Sequence, residues 1–474
     1  MKRLFITYLL FLSLSSCKEF LDIKPHEETI PQSAEEFSAL LHTHLNELDY
    51  GEESAIIPNS SQIATNESAC DNLEVALTQT DGGSLLKNYI ADIAIPERNY
   101  YNYYKIIRDC NIILGEMKDI ESDMAKNILG TAYAMRGVCY YELMRLYCDV
   151  YDPLQKSQLG LQLVTTFDME ERPIRSSLEE TMILIEEDLK KALSYNVQEP
   201  IWRFTADVVK GYLARFYFWT RQWDNAIYYA GEVIKSHPLV DREGYKAMME
   251  NGYSLKGNML IKSELISSSS SEQEGAGTYK PLNYRPTSKR FIDTFSDTEK
   301  ANDIRYEMNF SKKRIATKFI FSGMRSAEML LIRAESYYHK DREDLALADI
   351  NTLRGNRILN YESLTLSTLP EPTPGTDYIT QDVTGAPLTK LMALILTERR
   401  KELFLENDRF YELKRNGRPE FWVAVNGQKY TSRKFMYNFP IPIRDTKLIP
   451  GLQQNEGYED YIICLLYTSD AADD

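Results

Sequence analysis

From Ile128 to Leu146 the apolar positions Ile128, Ala132, Met135, Cys139, Leu143 and Leu146 recur at steps of 4, 3, 4, 4 and 3, the period of one buried helical face. The pattern predicts a long helix. The amphipathic stretch from Ser177 to Leu193 is placed to pair with it and opens with Ser177 three residues before Glu180, a capping box. Further on, Leu213, Ala214 and Tyr217 precede Trp223, Ala226 and Pro238 at offsets that predict two antiparallel helices around a tight turn. The small Ala214 and Ala226 let the two approach closely, while Tyr217 and Trp223 fill the space beside them. Leu330, Ala334, Tyr337 and Ala346 repeat these offsets, with Asp341 at the turn. Residues Leu388 to Gly417 read as another pair, broken near Asn407 and closed by Gly417.

These offsets fit the grid of the tetratricopeptide (TPR) repeat, whose single units cannot bury their own apolar face. The predicted fold is therefore mainly α, with about four TPR-like helix pairs as scaffold. Two long irregular insertions interrupt it. Residues 50–104 mix polar sequence with "ERNYYNYYK", and residues 251–290 run from "SSSSSEQEGAG" into "TYKPLNYRPTSKR". Insertions of this length in a compact protein are functional or disordered, and the serine run reads as flexible.

The 474 residues, 43% hydrophobic and 26% charged, are enough for a sizeable core or two intertwined lobes. A net charge of -15 argues against a nucleic-acid partner, which requires a basic face. Cys70, Cys110, Cys139, Cys148 and Cys464 show no C-x-x-C spacing; a disulfide between distant pairs and buried free thiols both remain open. With five histidines, and His42 and His44 in a polar segment that reads as solvated, no metal and no cofactor are expected. Glu398, Glu402 and Glu406 share one helical face, which like charges disfavour unless cations answer them; Arg399, Arg400 and Arg409 are the nearby candidates. Carboxylates stacked along one face do not frame a sugar bond as a glycosidase pair must, so these read as an ion-pair scaffold. Without G-x-S-x-G, H-E-x-x-H or phosphate-loop motifs, the chain reads as a non-enzyme.

Lys2 and Arg3 precede a short apolar run, Leu4 to Leu14, about half of the roughly 20 residues that span a bilayer. That is the form of a signal peptide. Leu14-Ser15-Ser16-Cys17 resembles a bacterial lipobox, which implies a leader over residues 1–16 and acylation of Cys17. Such chains hold a protein firmly on a membrane. At the other end "CLLYTSDAADD", residues 464–474, resembles sequencing-adapter read-through and is set aside.

"KEFLDIKP" after the lipobox, "YYNYYKIIRDCNIIL", the Glu398 to Arg415 charge signature and the ending "FPIPIRDTKLIPGLQQNEGY" together resemble the SusD/RagB family of outer-membrane lipoproteins. The likeness runs from about residue 17 to 458 and implies a SusD-like body over residues 17–463, with an N-terminal part of about 17–240 and a C-terminal part of about 260–463. It implies a cell-surface protein of the outer membrane that captures oligosaccharides, or peptides in one branch, for a SusC-like TonB-dependent transporter. It also implies a ligand surface carried by the two insertions, near a stretch approximated by Phe295, Asp297, Asp303 and Arg305.

Sugar sites use aromatic platforms with amide and guanidinium donors, which selects Arg98, Asn99, Tyr100 and Tyr101 from the first insertion and Tyr279, Asn283, Tyr284 and Arg285 from the second. A platform removing about 50 Å² of apolar sugar surface contributes roughly 1 kcal/mol, and millimolar affinity needs about 4 kcal/mol. Several platforms plus hydrogen bonds are required. None of the four tryptophans, Trp202, Trp219, Trp223 and Trp422, lies in these insertions, which weakens a starch-like expectation and keeps peptides open. Basic Lys280, Arg285, Lys289 and Arg290 interleave with Asp293 and Asp297, so the ligand's charge stays open. The competing readings are a TPR adaptor, whose binding would survive deletion of Ser267 to Gly277, and a lipid-anchored hydrolase, which would show turnover.

Overall fold

The computed structural model describes residues 31–50, parts of 56–74, and 94–250, 259–262 and 286–458, a few single positions excepted. Cys17, Tyr279, Asn283, Tyr284 and Arg285 lie outside the described residues, as does the side chain of Arg98.

Helix α1 spans Ala34–Tyr50, α2 Ala94–Glu116 and α3 Asp123–Tyr147. Ser122 caps α3 by accepting from Ala125 N at 3.1 Å, and its six periodic residues, Ile128 to Leu146, are all buried. Strands β1 (Leu159–Gln162) and β2 (Arg175–Ser177) form an antiparallel pair leading into α4, Leu178–Tyr195. Ser177 and Glu180 make the expected capping box. At Gly130 a Cβ would lie 2.8 Å from Tyr195 Cβ, so the close approach of the α3 and α4 ends requires glycine there.

The second pair is α5 (Ala206–Trp219) and α6 (Trp223–Ser236), turned through Arg221 at a φ of 57°. Ala214 and Ala226 are fully buried between them, and Tyr217 stacks on Tyr229 with centroids 5.6 Å apart. Helix α7, Arg242–Glu250, follows. Strand β3 (Met259–Lys262) pairs with β4 (Gly323–Arg325), which feeds α8, Ser326–Tyr338, and its partner α9, Glu343–Gly355. Asp341 takes the turn at a φ of 57°. The last pair is α10 (Lys390–Glu402) and α11 (Arg409–Arg415). Leu405 and Asn407, both at a φ of 60°, break it, and Gly417 closes it at +92°, a region glycine enters without steric cost.

The predicted N- and C-terminal parts share one core: α6 packs against α8, and a single apolar cluster runs from Phe37 to Leu452. Trp223 joins the two, stacking on His339 with centroids 4.4 Å apart. Among the described residues no helix is long and apolar enough to cross a membrane. Cys70, Cys110, Cys139 and Cys148 are buried free thiols. His44, expected in solvent, is buried with Nε2 2.8 Å from Asp109 Oδ2; that carboxylate lets an imidazole enter the core.

Candidate functional site

The scaffold beneath the insertions is a buried plate of charge. Glu398 and Glu402 are fully buried on α10, but of the cations near them in sequence only Lys401 reaches Glu398, at 3.6 Å, and Arg399, Arg400 and Arg409 pair elsewhere. Glu398 accepts from Arg305 at 2.8 Å and from Arg354, and Glu402 accepts from Arg357 at 2.9 Å and Arg325 at 3.0 Å. Glu406 takes Arg325, at 2.7 and 2.8 Å, and Lys318. Burial pushes the Glu398 and Glu402 carboxyls up, and these guanidiniums outweigh it and hold both far below the usual carboxylate range. Asp303 and Arg305 of the mid-chain stretch belong to this plate, 2.7 Å apart at Arg305 Nη2, while Asp297 is exposed.

Arg399 pairs with Asp408 instead, and Arg400 and Arg409 reach across the chain to the first insertion. Arg409 donates to both oxygens of Asp71 at 2.8 and 2.9 Å, and Arg400 Nε donates to Asn72 Oδ1 at 2.8 Å. Burial raises Asp71, but the two guanidiniums dominate and bring it down to about 2. Glu67 sits beside it, accepting from Leu405 N at 3.2 Å and Asn72 Nδ2 at 3.1 Å. With no direct cation contact among the described residues, burial pushes it up to about 7.

On this plate the two insertions meet. Leu73 forms an antiparallel bridge with Thr287; Glu74 N donates to Pro286 O at 2.7 Å, and Ser288 N to Asn72 O at 2.8 Å. Arg314 clamps Glu74 with bonds of 2.7 and 3.0 Å, and Ser288 Oγ donates to Asp71 O while capping the short helix Lys289–Ile292. Both stems are thus fixed from below and beside one another.

An aromatic strip continues from this junction. The Arg290 guanidinium lies 4.0 Å from the Tyr378 ring centroid, and Tyr378 stacks on Phe421 at 5.1 Å and 15° from parallel. Strand alternation turns the next residue outward: Trp422, 58% exposed, opens the hairpin of β5 (Trp422–Val425) and β6 (Gln428–Thr431). Chemically the strip offers one exposed ring, Trp422, beside a Tyr378 ring that stacks on buried Phe421 and carries the Arg290 guanidinium. Sequence reasoning missed it because Tyr378 and Trp422 are far from both insertions; the readable signal was Asn426-Gly427, a hairpin dipeptide between two strand-like runs.

The residues selected from the first insertion fare differently. Tyr100 is 3% exposed, its hydroxyl donating to Gln162 Oε1 and its ring set edge-on to Tyr147 at 5.0 Å. Asn99 is also buried. Both are core residues rather than platforms, because their side of α2 faces the aromatic core. Tyr101 is 41% exposed and donates to Asp445 Oδ1 at 3.1 Å.

The family model described as "Starch-binding associating with outer membrane" matches residues 19–218, and that of the SusD family matches residues 215–458, about half of the chain. The chain belongs to the SusD/RagB family. Solved structures of this superfamily share its fold. One from Bacteroides thetaiotaomicron is 19% identical with a TM-score of 0.64, covering 90% of this chain and 100% of its own. A SusD-like carbohydrate binding protein from Bacteroides vulgatus is 19% identical with a TM-score of 0.62, covering 89% and 98%. Another from B. vulgatus is 17% identical with a TM-score of 0.66, covering 90% and 100%. No curated protein matches the chain. Within the SusD/RagB frame, the acidic and basic helix signature is the plate that seats the insertions.

Proposed function

We propose that the protein is an outer-membrane lipoprotein, anchored through acylated Cys17, that captures oligosaccharides at the cell surface and passes them to a SusC-like TonB-dependent transporter. The observation that carries this reading is the joining of the two insertions at Leu73 and Thr287, beside the Arg290, Tyr378, Phe421 and Trp422 strip, in a SusD/RagB chain. In sequence, Tyr279, Asn283, Tyr284 and Arg285 immediately precede the seated stem. With Trp422 and Tyr101 they supply the several platforms that millimolar or tighter sugar binding requires.

The glutamates of the signature are consumed by arginines, which supports binding over hydrolysis as the activity. Calorimetry of the mature chain against neutral and acidic oligosaccharides and against peptides tests the proposal. Saturable oligosaccharide binding weakened by Tyr284→Ala supports it. Binding of peptides alone, or release of shortened sugars during the titration, overturns it.

A further inference from the structure

A separate cleft of about 240 Å³ opens between α10, the segment from Leu364 to Thr376, and residues 294–299. Its lining includes the nearly buried Glu299, Arg354 and Lys401. Arg354 Nη1 donates to Glu299 at 2.9 Å and to Glu398, and Lys401 Nζ donates to Glu299 at 3.0 Å. Two cations and two carboxylates thus close on one another. An incoming net charge would have to be desolvated here with no uncommitted counter-ion, which is costly.

Lys390 and Glu371 also line the cleft, exposed and ion-paired to each other; the remaining lining is of two kinds. Hydroxyls come from Thr397, Thr376 and Thr368, while Leu394, Pro370 and Pro372 supply apolar wall. Hydroxyl groups both donate and accept, and the apolar wall suits the C–H face of a ring. Of the Arg354 guanidinium only Nη1 is engaged by carboxylates, while its Nε is buried without a partner among the described residues. The volume lies below the roughly 300–1,000 Å³ of sites for drug-sized ligands. It is on the scale of a single sugar ring.

We infer that this cleft binds a single neutral sugar ring, as a subsite distinct from the aromatic strip at Trp422. The inference rests on the cleft's own chemistry and goes beyond the capture role proposed above.

The test is saturation-transfer NMR of the mature chain with D-glucose, D-galactose and D-mannose as probes, comparing wild type, Thr397→Trp, which fills the cleft, and Trp422→Ala. The expected result is saturable but weak binding of at least one monosaccharide, with a dissociation constant of about 10–100 mM because no aromatic platform lines the cleft, weakened about tenfold or more by Thr397→Trp and unchanged by Trp422→Ala. Should Thr397→Trp lower the melting temperature by more than a few degrees, Thr368→Trp on the exposed segment makes the same obstruction. No saturable monosaccharide binding, or binding indifferent to the filling variant that folds, overturns the subsite. Oligosaccharide binding measured in parallel keeps the two readings apart: its loss in Trp422→Ala with monosaccharide binding retained addresses the strip alone.

Discussion

Arg357 donates to both carboxylate oxygens of Glu402, from Nη2 at 2.9 Å and from Nε at 3.0 Å, and neither side chain reaches solvent. Arg325 and Arg305 also face Glu402, at 3.0 and 3.5 Å. One carboxylate therefore answers three guanidiniums brought from the end of α9, from β4 and from the short helix Ile304–Asn309.

Glu402→Ala removes that shared counter-charge and is expected to cost about 3–5 kcal/mol, the range for breaking a buried pair from one side. Urea unfolding followed by circular dichroism measures it. Asp297→Ala, at an exposed carboxylate, should stay within about 0.5 kcal/mol. Equal effects of the two would show that the plate does not hold the scaffold.

Stability should pass through a maximum in mildly acidic solution. Asp71, at about 2 in the folded protein against an ordinary 3.8, contributes stability present above about pH 4 and lost as pH falls toward 2. Glu67 acts with the opposite sign. Its ordinary value is 4.5 and its folded value about 7, so between these the folded state binds the extra proton and stability falls as pH rises. The slope is at most about 1.4 kcal/mol per pH unit for each such group. Urea midpoints from pH 3 to 8 should fall from about pH 4.5 to 7, and Glu67→Gln should flatten that fall. A wild-type midpoint climbing steadily to pH 8 contradicts the assignment.

Trp422→Ala should weaken oligosaccharide binding by roughly fivefold, the equivalent of one platform worth about 1 kcal/mol. Its melting temperature should barely move, since the ring is more than half exposed. Calorimetry and a thermal melt on the same sample separate the two effects; unchanged affinity would remove Trp422 from the ligand surface.

Tyr100→Ala is expected to cost about 3–5 kcal/mol, as large aromatic truncations in a core do. Tyr100→Phe, which loses the hydroxyl's hydrogen bonds to Gln162 and Tyr104, should cost about 1–2 kcal/mol. Any fall in ligand binding in Tyr100→Ala would then follow the unfolded fraction, and chemical denaturation beside each titration checks that it does.

The helix pairs were legible because period and punctuation agree: Ala214 and Ala226 sit where two helices touch, Ser177 and Glu180 where α4 starts, Asn407 where the last pair breaks. Tyr100 was misread because its neighbours in sequence, polar and aromatic alike, do not record which side of α2 turns inward. The partners of Glu398 and Glu402 were unreadable for a related reason. Helical spacing reveals which charges share a face, whereas the arginines that answer them arrive from segments whose proximity exists only in the folded chain. Arg290, Tyr378 and Trp422 are assembled in the same way.

The pairing of Asp71 with Arg409 carries a consequence for how the chain can be divided. The two are 338 positions apart, and Arg400 of α10 also faces Asp71 at 3.1 Å. A fragment ending before α10 would bury Asp71 with neither cation, which is costly. The stem of the first insertion is therefore held by the C-terminal half, and a chain cut ahead of α10 should leave that stem unseated.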